Sequence, residues 1–236
     1  MIASLGRMAV SVLVAAATGV LIVAVSIAPF LSPQWVAFEQ ARSGSAGLTG
    51  YTPAELRTAT DSILHDLVLG PPNFDVAIAG HAVLSERERA HERDVRDVFA
   101  RFYLAAGLAL VILVLAAIWR RRPLPWSAIR GGALVVAGGV LLLGVVATLS
   151  FDRAFAVFHE IFFAPGTGEF DPLTSRLVQI FPDQFWSDTS IVAAALIFVL
   201  SAVVATVAGR RAAAARRREV AARSSAQRSV SPEPAR

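Results

Sequence analysis

Cysteine and lysine are both absent from the 236-residue chain, and each absence excludes a class of chemistry. Without cysteine there is no thiol nucleophile, no disulfide, no cysteine-ligated metal and no lipid attached to a thiol of this chain. All 22 basic residues are arginine, so a lysine nucleophile or Schiff base is excluded as well. The P-loop, the dinucleotide fingerprint, the Gly-x-Ser-x-Gly elbow and the His-Glu-x-x-His helix are also missing.

Hydrophobic residues make up 55% of the chain and are concentrated in four long runs without charge. The runs cover residues 8–31, 102–119, 131–151 and 189–209. A helix of about 20 apolar residues crosses a bilayer, so each run is long enough or nearly so. The sequence therefore predicts an all-α membrane protein. Its membrane domain, residues 1–209, consists of a four-helix bundle and the segments that connect the helices outside the membrane.

Arginine is distributed unevenly between the segments that join these runs. Thirteen arginines and only two acidic residues lie before the first run, between the second and third, and after the fourth. The segments 32–101 and 152–188 instead hold nine arginines and sixteen acidic residues. Because arginine accumulates in cytoplasmic loops, both termini are predicted to be cytoplasmic. The two acidic segments are predicted to form an extracytoplasmic cap on a multi-pass protein of the cell membrane.

The C-terminal tail, residues 210–236, is basic at first and then rich in serine, alanine and proline. This composition predicts a disordered cytoplasmic segment held near anionic lipid headgroups.

The first cap segment contains recognisable helix and turn signals. Residues 40–52 are rich in glycine and serine and are predicted to form a loop. Thr52-Pro53-Ala54-Glu55 is a capping box with proline at the first helical position, so a helix is expected from there to about Leu69. The helix should end at Gly70-Pro71-Pro72. A short strand is predicted over residues 74–79.

A second capping box, Ser85-Glu86-Arg87-Glu88, predicts a helix that starts near Glu86 and continues through the second apolar run towards Arg120. An apolar stripe on this helix places one histidine on its inward face, and the stripe consists of His91, Val95, Val98 and Phe102. Glu92 with Arg96, and Arg93 with Asp97, have the spacing of ion pairs on a solvated face. Glu92 is therefore expected to face solvent.

Two of the four histidines, His91 and His159, lie in the cap segments and are predicted to reach the same membrane face. Imidazole titrates near neutral pH, so two such side chains can take a proton from one group and deliver one to another. Glu88 and Asp94, each about one helical turn from His91, and Glu160, next to His159, are candidate supporting residues.

Three interpretations of these histidines remain open at this point. The first is an acid/base pair that acts on a molecule in the lipid surface. The second is a metal site that uses His81, His91 and His159 with nearby carboxylates, which would suit zinc and a lipid hydrolase. The third is a non-catalytic membrane scaffold or accessory protein, in which the histidines are structural. His65 is expected to face solvent.

The segments Ser-Glu-Arg-Glu-Arg-Ala-His-Glu-Arg-Asp-Val (85–95), Phe-His-Glu-Ile-Phe-Phe-Ala-Pro-Gly-Thr-Gly-Glu-Phe-Asp-Pro (158–172) and Ile-Phe-Pro-Asp-Gln-Phe-Trp (180–186) resemble a bacterial family of four-span membrane proteins. That family includes Lit, the lipoprotein intramolecular transacylase. The resemblance implies transfer of the sn-2 acyl chain of a diacylglyceryl-modified lipoprotein to the α-amino group of its N-terminal cysteine. It also implies that the paired catalytic histidines are His91 and His159.

The resemblance further implies membrane lipids and diacylglyceryl lipoproteins as partners, with no cofactor, no metal and no nucleic acid. The sequence departs from the family pattern at two positions. Methionine is expected after the first histidine, where this chain has Glu92, and tryptophan is expected after Gly-Thr, where it has Gly168. Loss of the indole is expected to change lipid positioning or the packing of the cap.

Overall fold

The computed structural model describes residues 2–118, 125–163 and 167–230, and four long helices dominate it. They are α1 (Ile2–Ile27), α5 (Glu86–Ile118), α6 (Trp126–Leu149) and α9 (Asp183–Val230). Each contains an apolar stretch that is long enough to cross a membrane, which confirms the four predicted spans. Between α1 and the cap the chain makes one 3₁₀ turn, Ala28–Leu31.

Small residues allow the spanning helices to approach closely. Helix α1 packs against α5, α6 and α9, and α6 packs along α9. Gly132 of α6 lies so close to Ala15 of α1 that a Cβ atom would overlap the carbonyl of Ala15. A Cβ atom on Gly19 would lie 3.0 Å from Cγ2 of Val136. Where lipid replaces water, such close backbone packing stabilises helix association.

The 33 residues of α5 are more than a bilayer requires, since a helix rises about 1.5 Å per residue. Residues 102–118 form its apolar part, which is predicted to span the membrane. Residues 86–101 carry the charged side chains and extend beyond the membrane into the cap.

The cap has a hydrophobic core of its own. It contains α2 (Pro33–Ser43), α3 (Ser45–Thr49), α4 (Pro53–Val68), α8 (Arg176–Ile180) and a small antiparallel hairpin, β1 (Ala77–Ile78) with β2 (His81–Ala82). Buried side chains from both cap segments pack together, among them Val36, Ile63, Phe74, Leu84, Ile180 and Phe185. The two segments therefore form one folded unit above the bundle.

Both predicted capping boxes are present. The Thr52 amide donates to Glu55 Oε2 at 2.9 Å, and the Glu55 amide donates to Thr52 Oγ1 at 3.3 Å. The Ser85 amide donates to Glu88 Oε2 at 2.7 Å, and the Glu88 amide donates to Ser85 Oγ at 3.3 Å.

The predicted loop over residues 40–52 is wrong for most of its length, because α2 ends only at Ser43 and α3 follows. Ser32 caps α2 at its start, with Pro33 at the first helical position. Gly44 has a φ of 76° and both ends α2 and starts α3. Its left-handed conformation is the common glycine C-cap, so this glycine marks a junction between two helices. The strand expected over residues 74–79 is reduced to Ala77–Ile78.

The third span ends at Ser150, where the backbone is extended, with φ −162° and ψ 98°. Ser150 Oγ accepts a hydrogen bond from the Arg153 amide and so starts a new helix, α7 (Phe151–Phe162). Helix α7 is strongly amphipathic and leaves Phe158, Ile161 and Phe162 exposed. Exposed apolar residues on such a helix fit the surface of a bilayer.

Helix α9 continues past the last predicted span to Val230, where a disordered tail was expected. The segment after Gly209 is rich in alanine and arginine, which favour helix without tertiary contacts. Residues 231–236 of the predicted tail lie outside the described residues, as do Arg120, Arg121 and Arg122 of the basic loop.

We predict that Gly132→Ala destabilises the bundle, because the added methyl group must push α6 away from α1. Such overpacking costs about 1–3 kcal/mol. The matched control is Gly139→Ala on the same helix, where a Cβ atom meets nothing within 4 Å. Thermal unfolding of the two purified variants in detergent measures the difference. Equal melting temperatures would contradict the close α1–α6 contact.

Candidate active site

The rings of His91 and His159 meet in the cap. His91 projects from the first part of α5, and His159 projects from α7. Their ring centroids are 5.9 Å apart and their planes differ by 18°, so the rings are stacked with an offset. Two segments that are distant in sequence thus bring two imidazole rings close together.

Phenylalanine rings surround this pair. Phe163 and Phe170 contact His91 edge-on, with centroid distances of 5.0 Å and 5.5 Å. The ring centroid of Phe155 lies 4.3 Å from that of His159. Only 7% of His91 is exposed to solvent. His91 therefore lies in a largely apolar pocket beside His159, where its imidazolium form would be poorly solvated.

These surroundings change the protonation of His91, which lies outside the membrane-spanning part of α5. Burial, and secondarily the charge of His159, lower the pKa of His91 to about 4, while Asp94 opposes this effect. His91 is consequently neutral at neutral pH.

A backbone hydrogen bond fixes the tautomer of His159. Its Nδ1 lies 2.9 Å from the carbonyl oxygen of Phe155, one helical turn earlier. A carbonyl oxygen only accepts, so Nδ1 carries the proton and Nε2 presents a lone pair. Nδ1 of His91 is buried and has no hydrogen-bond partner among the residues described. Among the described residues, neither Nδ1 of His91 nor Nε2 of His159 thus has a hydrogen-bond partner.

Glu88 is buried and ties the two cap segments together. Its Oε1 accepts hydrogen bonds from Ser175 Oγ at 2.6 Å and from the Leu177 amide at 2.9 Å. Burial by itself would raise the pKa of Glu88, but the hydrogen bonds from Ser175, Leu177 and Ser85 together outweigh burial and the pKa is lowered. Glu88 is therefore an ionised anchor whose two oxygens are already used, and it makes no hydrogen bond to His91.

The other two candidate supporting residues make fewer contacts. Asp94 is half-buried, and it acts on His91 through its charge. Glu160 is exposed and forms no hydrogen bond or ion pair with the residues that the structure describes. Their supporting roles stay predictions.

The expectation that Glu92 faces solvent is wrong, since only 7% of this residue is exposed. Its expected partner, Arg96, turns away and donates to the backbone carbonyls of Asp66 and Gly70 near the end of α4. Arg93 pairs with Glu86 instead of Asp97. Burial, with a smaller contribution from the nearby charge of Glu88, raises the pKa of Glu92 to about 7. The residue next to His91 is thus a buried carboxyl group that holds its proton unusually well.

Gly168 lies directly against both histidines. A Cβ atom at this position would be 2.6 Å from Cδ2 of His159 and 3.3 Å from Cε1 of His91. Its loop is held to α5 by Arg87, which donates to the Glu169 carbonyl at 2.7 Å and packs over the Phe170 ring. Sequence reasoning singled out Gly168 only as a departure from a pattern, because nothing local in the sequence reveals which side chains its backbone touches.

The remaining histidines lie apart from this pair. The side chain of His65 is 61% exposed beside Asp66, and His81 is exposed in β2. Within residues 2–118, 125–163 and 167–230, no three His, Asp or Glu side chains are grouped closely enough to hold a metal ion.

Comparison with known proteins identifies similar chains. The family model described as lipoprotein intramolecular transacylase Lit matches residues 10–186. An uncharacterized protein of Aquifex aeolicus (strain VF5) is 30% identical over 122 residues, which are 50% of this chain and 53% of that protein. The chain therefore spans about half the length of this curated relative.

Solved structures share the fold. The membrane-integral lipoprotein intramolecular transacylase Lit from Bacillus cereus superposes with a TM-score of 0.74 at 18% identity, covering 91% of this chain and 99% of that one. A variant of the same protein with a histidine replaced by arginine gives a TM-score of 0.70 at 17% identity, covering 91% and 96% of the two chains.

We predict that Glu92→Gln removes a pH-dependent loss of stability. In the unfolded chain this carboxyl group ionises near pH 4.5, and in the folded protein near pH 7. The folded state therefore binds more protons between these values, so the stability of the natural protein falls as the pH rises through that window. The melting temperature of Glu92→Gln minus that of the natural protein should therefore increase between pH 4.5 and pH 7.5.

The control for this measurement is Glu160→Gln, which neutralises an exposed carboxylate on α7. It should shift the melting temperature by a small amount that varies little with pH. A difference between Glu92→Gln and the natural protein that stays constant across the pH range would contradict the buried, protonated carboxyl group.

Proposed function

Because the chain belongs to the Lit family of lipoprotein intramolecular transacylases, we propose that it moves an acyl chain within a lipid-modified protein. The donor is the sn-2 ester of a diacylglyceryl group, and the acceptor is the α-amino group of the N-terminal cysteine to which that group is attached. The stacked pair of His91 and His159 carries this proposal. It supplies two unused ring nitrogens in an apolar pocket.

The reaction needs one proton to leave the amine and one to reach the glycerol oxygen. His159 accepts the amine proton at Nε2, because its Nδ1 proton is held by the Phe155 carbonyl. The amine nitrogen then forms a bond with the ester carbonyl carbon, and the bond from that carbon to the sn-2 glycerol oxygen breaks. His91 delivers a proton to this oxygen.

The low proton affinity of His91 suits this second role, since a proton that reaches its ring is readily given up. The pair ends the cycle with the same number of protons as it began. One bridging hydroxyl group or water is enough to pass a proton between the rings. The transfer is intramolecular, so positioning supplies much of the rate enhancement and no covalent enzyme intermediate is needed.

Helix α7 offers the substrate a route from the lipid. Phe158, Ile161 and Phe162 expose 45%, 69% and 49% of their surface on the helix that carries His159. Phe158 also contacts the His159 ring edge-on at 5.6 Å. A diacylglyceryl group in the membrane surface can therefore reach the histidines by sliding along α7, without leaving apolar surroundings.

The distribution of arginine supports an orientation with both termini in the cytoplasm and the cap outside. The acyl donor would then be a lipoprotein in the outer leaflet. The same distribution favours contact between the basic end of α9 and anionic lipid headgroups.

We predict that His91→Ala and His159→Ala each abolish formation of the N-acyl, monoacylglyceryl lipopeptide. Loss of a general acid or base typically costs about 10²–10⁴ in rate. The measurement is mass spectrometry of N-terminal lipopeptides from a host that makes only diacylglyceryl lipoproteins, with the variants expressed at matched levels in the membrane.

The chain supplies its own controls, because His65→Ala and His81→Ala remove exposed histidines outside the pocket. Both should retain full activity. If the well-expressed natural protein forms no such lipopeptide, the transacylase proposal fails for that substrate. A phenotype that survives loss of both His91 and His159 would favour a scaffold.

We predict that Gly168→Ala strongly lowers activity without unfolding the protein. The new methyl group would force the His159 ring away from a position that Phe155 fixes, and small displacements of a catalytic group cost up to about 10²-fold in rate. Gly47→Ala, where a Cβ atom has open space, is the matched control. Lipopeptide yield at matched membrane levels is the readout, and an active Gly168→Ala variant would rule out the tight contact.

A further inference from the structure

A groove lies between α6 and α9 at the end of the bundle opposite the cap. It consists of two adjoining cavities, of about 320 Å³ and 440 Å³, which share Arg130, Leu134 and Gly209. The groove exists because α9 presents small residues to α6 along this stretch, among them Ala205, Gly209 and Ala212.

The charges along the groove all have one sign. Arg130, Arg210 and Arg216 line it, and none of the lining residues is acidic. None of these three arginines forms an ion pair within the part of the chain that the structure describes. The Arg130 side chain lies across Gly209, where a Cβ atom would be 3.3 Å from its Nε. The absence of a side chain at residue 209 therefore leaves the guanidinium group room at the centre of the groove.

The part of the groove around Leu134, Ala202 and Ala205 is apolar. Leu134 is 48% exposed. Ala202 lies beside it in the groove wall, and Thr206 donates its hydroxyl hydrogen to the Ala202 carbonyl, so it presents no free donor. From Ala202 to Arg216 the wall is about 21 Å long, because a helix rises about 1.5 Å per residue. A basic end that continues into an apolar trough matches a lipid with an anionic headgroup.

We propose that this groove binds an anionic phospholipid, with its phosphate between Arg130, Arg210 and Arg216 and the upper part of one acyl chain along Leu134 and Ala202. The site differs from general attraction of the basic tail to a membrane, because it has a fixed shape and a central arginine on α6. It is separate from the histidine pocket and does not depend on the reaction proposed there.

The test is native mass spectrometry of the purified full chain in neutral detergent, with equal amounts of dioleoyl phosphatidylglycerol and dioleoyl phosphatidylcholine. The natural protein should retain phosphatidylglycerol preferentially. Arg130→Gln should lower the ratio of the two adducts by about fivefold, the change expected for one basic contact with an anionic headgroup. Arg218→Gln, with the same change in charge on α9 but outside the groove lining, should leave the ratio unchanged.

A second variant tests shape instead of charge. Ala213→Trp places an indole in the cavity of about 320 Å³, which Ala213 lines. Ala213 is exposed, so the substitution does not disturb the core of the bundle. It should also reduce retention of phosphatidylglycerol, although no charge has changed. The proposal is overturned if the natural protein shows no preference, if Arg218→Gln lowers the ratio as much as Arg130→Gln, or if Ala213→Trp binds like the natural protein.

Discussion

The carboxylate of Glu88 joins two parts of the chain that are 87 residues apart. It starts α5 by accepting from the Ser85 amide, and it holds α8 by accepting from Ser175 and the Leu177 amide. Because one buried ion serves both tasks, the start of α5 and the loop after α7 have a fixed relative position. His91 is one turn beyond Glu88 on the same helix, so the hydrogen bonds of Glu88 fix the part of α5 that carries His91 against α8. A buried carboxylate is costly unless it is fully hydrogen-bonded, and here the hydrogen bonds outweigh that cost.

Sequence reasoning succeeded where the determinants are local or compositional. Four spans follow from apolar length, and the starts of α4 and α5 follow from capping boxes whose members are three residues apart. It failed over residues 40–52, where glycine and serine indicate a loop but a left-handed Gly44 joins two short helices. The disordered tail expected after Gly209 from its basic, Ser-, Ala- and Pro-rich composition stays a prediction, although α9 continues to Val230 and alanine and arginine favour a helix.

Tertiary contacts explain what the sequence could not reveal about the site. Helical spacing paired Glu92 with Arg96, yet Arg96 donates to backbone carbonyls near the end of α4, which is far away in sequence. The tautomer of His159, by contrast, depends on Phe155 one turn earlier, a relationship visible only once α7 is known to be a helix. The sequence can thus indicate which histidines are candidates for the site. The tautomer of His159 and the lowered pKa of His91 depend on neighbours that the fold brings together.

Glu92 and Gly168 are the two departures from the family pattern, and both lie beside the histidine pair. Gly168 contacts the rings directly and leaves no space for a side chain, so the loop backbone closes this side of the pocket. Glu92 follows His91 in α5 and is buried, and near neutral pH its carboxyl group changes between a neutral and an anionic form. The stability of this chain is therefore sensitive to pH at the position after His91, where a methionine would carry no titratable group.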